Sequence, residues 1–182
     1  VNIFVLDRDP VKAAQAHCDK HVVKMILETA QILSTVWDGV PVGSRYTIPF
    51  QAYRPTHRNH PCVKWVGCSA SNYAWLVELG RALCSEFRFR YEHGHKTGAV
   101  IEALCLPPCH VAPGPLTPFE PCMPEEFIEL GEPVKSYRAY YAQAKAHLLS
   151  YRFREAPSWL NSFGGGKQIN ADSVRLNSKK EI

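Results

Sequence analysis

The feature that most constrains this chain is a long stretch without a breaker. From Val11 to Trp37 there is neither glycine nor proline, and the stretch is bounded by Asp9-Pro10 on one side and Asp38-Gly39 on the other. Asp as N-cap followed by Pro is a helix start, because the N–H that proline lacks would have no partner in the first turn. Asp-Gly is a stop. One helix of about seven turns is predicted between them.

Its apolar residues, among them Val22, Val23, Met25, Ile26, Leu27, Ala30, Ile32 and Leu33, occupy most of the circumference, so the helix is expected to be largely buried. One narrow stripe is polar. His17, His21, Lys24, Glu28 and Gln31 follow one another at steps of four, three, four and three, which places them on one helical face. Burying such groups without partners costs several kcal/mol each by rough estimate. The stripe therefore faces water or lines a cleft. A solvated face is usually rich in Lys–Glu pairs, whereas this one carries two histidines, one lysine and one acid. A cleft would set Glu28 beside Lys24 and His21, as acid–base chemistry requires.

The remaining punctuation predicts an all-α domain of three long helices with long Pro-rich loops. Residues 2–6 read as a short apolar extended segment. Gly39, Pro41, Gly43, Pro49, Pro55 and Pro61 make residues 38–61 a loop, whose second half is dense in donors: Tyr53, Arg54, His57, Arg58, Asn59 and His60. A short helix is predicted near 63–67. A long one follows from about Ser69 to Tyr91, with Ser69 or Ser71 as N-cap and Tyr73, Leu76, Leu79, Leu83 and Phe87 at helical spacing. A short helix over 97–104 precedes residues 106–124, where seven prolines exclude regular structure. A turn at Met123–Phe127 and a last long helix from Pro133 to Tyr151 complete the domain, taken as residues 1–160. Gly164-Gly165-Gly166 opens a polar stretch, so 161–182 is expected to be a tail.

Composition excludes little. A net charge of +4 permits nucleic-acid binding without arguing for it. No apolar run approaches the roughly 18 residues of a membrane span. The first apolar run, Ile3–Leu6, is too short for a signal peptide. A cytoplasmic protein with no membrane association and no obligate protein partner is expected. The seven cysteines are an odd number, read as free thiols. Cys105 and Cys109, ahead of His110, flank a rigid Leu106-Pro107-Pro108 segment and lack a second pair, so no metal site and no cofactor is expected.

Asp19-Lys20-His21 followed seven residues after the histidine by Glu28 resembles the active-site helix of the phage endonuclease V type of pyrimidine-dimer DNA glycosylase. The order of later parts is similar too: His60 before a long helix rich in Leu and Arg, and Pro157-Ser158-Trp159 after the last helix. The resemblance covers scattered pieces of residues 1–160. It implies an all-helical enzyme that binds double-stranded DNA, kinks it and flips a nucleotide out. Glu28 would promote cleavage of the N-glycosidic bond. An amine at the chain start, carried over to Asn2, would attack C1′ and allow strand cleavage by β-elimination. His21 and Lys24 would hold a phosphate or protonate the leaving base. His17, Gln31, Arg54, His57, Arg58, Asn59 and His60 would grip DNA.

Departures bear on the substrate. The family carries arginines one residue before and three residues after its Glu, where this chain has Leu27 and Gln31, and the linker before the first helix is about five residues longer. Without the amine, Glu28 would activate water and leave an abasic site. Pyrimidine dimers are the family's substrate. The divergent pocket positions favour a bulky modified pyrimidine, such as the glucosylated hydroxymethylcytosine of T-even phages, and thus an anti-phage role beside DNA repair. Two other readings stand: a metal-dependent hydrolase using His17, His21 and Glu28, and a non-catalytic nucleic-acid-binding module.

Overall fold

The computed structural model describes residues 1–40 and 52–163; the predicted loop at 41–51 and the stretch from 164 onward lie outside the described residues. Every regular element within them is helical: α1 (Pro10–Ala16), α2 (Asp19–Val36), α3 (Pro61–Cys68), α4 (Ala70–Tyr91), α5 (Gly98–Ala103) and α6 (Pro133–Ala144), with 3₁₀ turns at Glu125–Phe127, Ala146–Leu148 and Ser158–Phe163. The all-α class holds. None of these helices is long and apolar enough to cross a membrane.

The central element is α4, against which α1, α2, α3 and α5 all pack. Ser69 caps it, its hydroxyl accepting from the Asn72 N–H at 3.1 Å. Glu92, left-handed at φ 61°, ends it, with Arg88 and Arg90 in the last turn complementing the helix dipole. Twelve of the eighteen residues of α2 are buried.

The long helix predicted over residues 10–37 is in fact two. His17 and Cys18 are extended, at ψ 137° and 162°, and separate α1 from α2. Neither residue is a helix breaker; the break is made from outside. The guanidinium of Arg90, wholly buried, donates to the carbonyls of His17 (2.9 Å) and Gln15 (3.2 Å) at the end of α1 and to Asp19 at the start of α2 (2.9 Å). From the C-terminal half, the Tyr141 hydroxyl accepts from the Cys18 N–H and the Ser150 carbonyl from the Asp19 N–H, both at 2.9 Å. The orphan groups of two helix ends are thereby satisfied, which one continuous helix would not need.

The last helix is likewise shorter than predicted. It ends at Ala144, and the 3₁₀ turn after it leads into the extended residues that reach Asp19. A 3₁₀ turn at Ser158–Phe163 closes the described residues. The proline-rich run is irregular as expected. Its carbonyls anchor it: Pro118 accepts from Trp65 Nε1 (2.8 Å), Pro115 from Ser69 (2.8 Å) and Gly114 from Ser71 (2.6 Å). Proline offers no N–H, so the donors come from the other residues of the run: the Thr117 N–H donates to Asn72 Oδ1 at 2.9 Å and the Cys122 N–H to the Tyr137 hydroxyl at 3.1 Å.

Candidate active site

Ile3, Phe4, Val5 and Leu6 are buried, which threads the start of the chain through the core. Phe4 stacks on His21 with ring centroids 4.8 Å apart and meets Tyr141 edge-on at 5.3 Å. The Leu6 carbonyl accepts from Arg138 at 2.7 Å. Threaded in this way, the segment delivers its first residues to Glu28. The Asn2 N–H donates to Glu28 Oε2 at 2.7 Å, and the Val1 nitrogen lies 4.0 Å from the same oxygen. Lys24 Nζ, one turn back on α2, is 3.2 Å from Oε1.

Glu28 is nearly buried, at 9% exposure, while the Lys24 side chain is 66% exposed. The stripe on α2 is therefore neither a solvated face nor a sealed core. It holds a nearly buried carboxylate paired with a largely exposed lysine. Of the sequence-predicted site residues, Asn2 and Lys24 lie against Glu28; the Asn2 nitrogen is a peptide N–H and not the free amine that the resemblance implied.

The histidines behave differently. The Tyr141 hydroxyl, which accepts from the Cys18 N–H, also lies 2.9 Å from His21 Nδ1 and fixes the ring. Burial, then the positive charges of Lys145 and Lys24, lower the His21 pKa to about 4. His21 is neutral at physiological pH. His17 is displaced from the stripe by the helix break. It is wholly buried, bonded through Nδ1 to the Ala13 carbonyl at 2.6 Å, and its Nε2 has no partner. Burial lowers its pKa to about 3. It offers no surface to DNA, and it does not join His21 and Glu28 in a common metal-ligand group.

The donor-rich loop lies along the C-terminal half of α2. The Tyr53 N–H donates to Ser34 (3.1 Å), and Thr35 exchanges bonds with the Thr56 backbone (3.1 Å each way). Gln31 is half-buried beneath this loop's level; Arg54, His57, Arg58 and Asn59 are exposed. Arg58 pairs with Asp38, and His57 is left-handed at φ 54° with its ring bonded to Thr56. His60 sits at the inner end as the N-cap of α3, its Nδ1 accepting from the Cys62 N–H at 3.2 Å. Burial, the chain-start nitrogen and His57 lower its pKa, which Glu28 raises.

Sequence reasoning missed one neighbouring group. Cys62, at the start of α3, and Cys122, in the proline-rich run, meet beside Asn2, their sulfurs 3.3 Å apart. The Cys62 thiol donates to Cys122; that bond and burial push the Cys62 pKa up, and the same bond holds that of Cys122 below the usual thiol range against burial, which raises it. Sixty residues separate the two, so no local spacing announces them. All seven cysteines are free.

A family model described as pyrimidine dimer DNA glycosylase matches residues 1–97, just over half of the 182-residue chain. The matched part contains α1 to α4 with Asn2, His21, Lys24, Glu28 and His60. No curated protein and no solved structure matches the chain.

Proposed function

The chain belongs to the pyrimidine dimer DNA glycosylase family, and from that premise we propose that it excises a bulky pyrimidine from duplex DNA with Glu28 as its catalytic carboxylate. The observation that carries this reading is the nearly buried Glu28 carboxylate held between the chain start and Lys24. Cleavage of an N-glycosidic bond develops positive charge on the sugar. A preorganised carboxylate shielded from water stabilises that charge far better than an exposed one. The Asn2 N–H fixes which oxygen of Glu28 is engaged and leaves Oε1 toward Lys24.

The nucleophile follows from the chemistry of the Val1 nitrogen. As a free amine next to Glu28 it attacks C1′ and gives an imine, with β-elimination to follow. As an amide within a longer chain it cannot attack, and Glu28 then activates water. Borohydride separates the two, because only the imine is trapped as a covalent adduct. In this reading Lys24 contacts a phosphate and the neutral His21 serves the leaving base. Extruding the nucleotide costs a few kcal/mol of unstacking, offset by the cationic rim of Lys24 and the loop carrying Arg54, His57, Arg58 and Asn59.

Leu27, 38% exposed, and Gln31 make the neighbourhood of Glu28 less basic than arginines would. These departures from the family's arginines favour a bulky modified pyrimidine beside the dimer itself. The test is incubation with UV-irradiated DNA and, in parallel, with glucosylated T-even phage DNA, scoring alkali-labile sites. Glu28→Gln is expected to lower base release by about 10²–10³ with an unchanged circular dichroism spectrum. Full activity in that variant removes Glu28 from its role, and salt-dependent binding without base release from either DNA would make the protein a binding module.

A further inference from the structure

The His60–Cys62–Cys122 group is a built donor set on elements far apart in the chain. One ligand atom from each lies within 4.8 Å of the others, the two sulfurs are 3.3 Å apart, and Asn2 Oδ1 is 3.5 Å from Cys62 Sγ. It is the sole group of its kind among the described residues. Cys105, Cys109 and His110, whose sequence proximity invites a metal reading, do not form one. One imidazole and two thiolates are borderline-soft ligands, matched to zinc rather than to magnesium or calcium.

We propose that His60, Cys62 and Cys122 bind one zinc-class divalent ion, with Asn2 Oδ1 beside the fourth position. Zn–S bonds of about 2.3 Å put tetrahedral sulfurs about 3.8 Å apart. The two thiols therefore separate by about half an ångström on binding, a side-chain adjustment. Both thiol protons pass to solvent and no electrons move. Coordination through His60 Nδ1 exchanges the Cys62 N–H it now accepts at 3.2 Å for the ion, and coordination through Nε2 keeps that bond.

The ion would tie three segments together: the chain start, the head of α3 and the proline-rich run. Asn2 is already bound to this cluster, its Nδ2 donating to the Cys122 carbonyl at 3.0 Å while its N–H holds Glu28. Metal binding there is a positioning device for the backbone that faces the carboxylate. The binding claim itself stands apart from the glycosylase reading and is read without any DNA.

The experiment is a titration of the reduced, chelator-treated full chain with Co²⁺ under anaerobic conditions, followed by Zn²⁺. The thiolate-to-cobalt charge-transfer band is expected to saturate at one equivalent and vanish as Zn²⁺ displaces Co²⁺. Cys62→Ser and Cys122→Ser lose the band, whereas Cys105→Ser/Cys109→Ser keeps it. His60→Asn preserves a good helix N-cap while removing the imidazole, so it folds and weakens Co²⁺ binding. The proposal is overturned by an absent band, by one that survives Cys122→Ser, or by one that disappears with Cys105 and Cys109.

Discussion

Arg90→Ala tests whether the junction of α1 and α2 is held from outside. The guanidinium is wholly buried and serves Glu86, Asp19 and the carbonyls of Gln15 and His17. Its removal leaves Glu86 with only Arg154, which bonds both of its oxygens at 2.9 and 2.7 Å, and leaves two carbonyls without their donor. Breaking a buried ion pair costs about 3–5 kcal/mol, and each unsatisfied buried acceptor about 1–3. Because Arg154 still neutralises Glu86, the net loss is set at about 3–5 kcal/mol. For a chain of this size that lowers Tm by roughly 6–20 °C. Arg81 is the internal control. It too binds two carboxylates, Glu102 and Glu78, but its side chain is 39% exposed. An exposed pair contributes about 0–1 kcal/mol, so Arg81→Ala shifts Tm by no more than roughly 4 °C. Urea unfolding followed by far-UV circular dichroism gives both values. Equal losses in the two variants would refute the reasoning, since burial is the property that distinguishes them.

Stability is also expected to fall in acid. His17 and His21 titrate near 3 and 4 when folded and near 6.5 when unfolded. Their contribution is complete above the unfolded value and is lost as pH falls from about 6.5 toward 3, at up to about 1.4 kcal/mol per pH unit per histidine. Tm profiles of the wild type and His17→Gln are expected to converge across that window; parallel profiles would contradict a buried neutral His17. Gly80→Ala should be destabilising by about 1 kcal/mol. A Cβ there meets Thr29 Cγ2 at 2.8 Å and Ile101 Cδ1 at 3.0 Å, and overpacking of about 1–3 kcal/mol outweighs about 1 kcal/mol of helix propensity. A stabilised variant would mean that α2 yields freely beside Glu28. Lys24→Ala should weaken DNA binding for all sequences alike and reduce the log–log salt slope by about 0.9, measured by fluorescence anisotropy at several salt concentrations; an unchanged slope places Lys24 off the phosphates.

What could be read from the sequence were features made by neighbours in the chain. Ser69 as a cap, α4 to Tyr91, the irregular proline-rich run and the partly hidden polar stripe with Glu28 all follow from local chemistry and helical period. The features that escaped are made at a distance. No residue between Gln15 and Asp19 breaks a helix; Arg90 does so through their carbonyls. The early end of α6 answers the need to place Ser150 against Asp19. The burial of His17 follows from that break, and the meeting of Cys62 with Cys122 from the anchoring of proline-rich carbonyls on α3 and α4.

The junction has a consequence for how the protein comes into being. Asp19 leaves the ribosome ahead of Arg152, whose backbone N–H it receives at 2.9 Å and which follows 133 residues later. At translation rates of about 5–20 residues per second, the nascent catalytic helix waits roughly 7–27 s for its last anchor. A fragment stopping at residue 97, where the family match stops, would carry every side chain around Glu28 and still lack Tyr141, Ser150 and Arg152. Such a fragment should emerge as a helical but unanchored polypeptide, a ready client for chaperones rather than an enzyme.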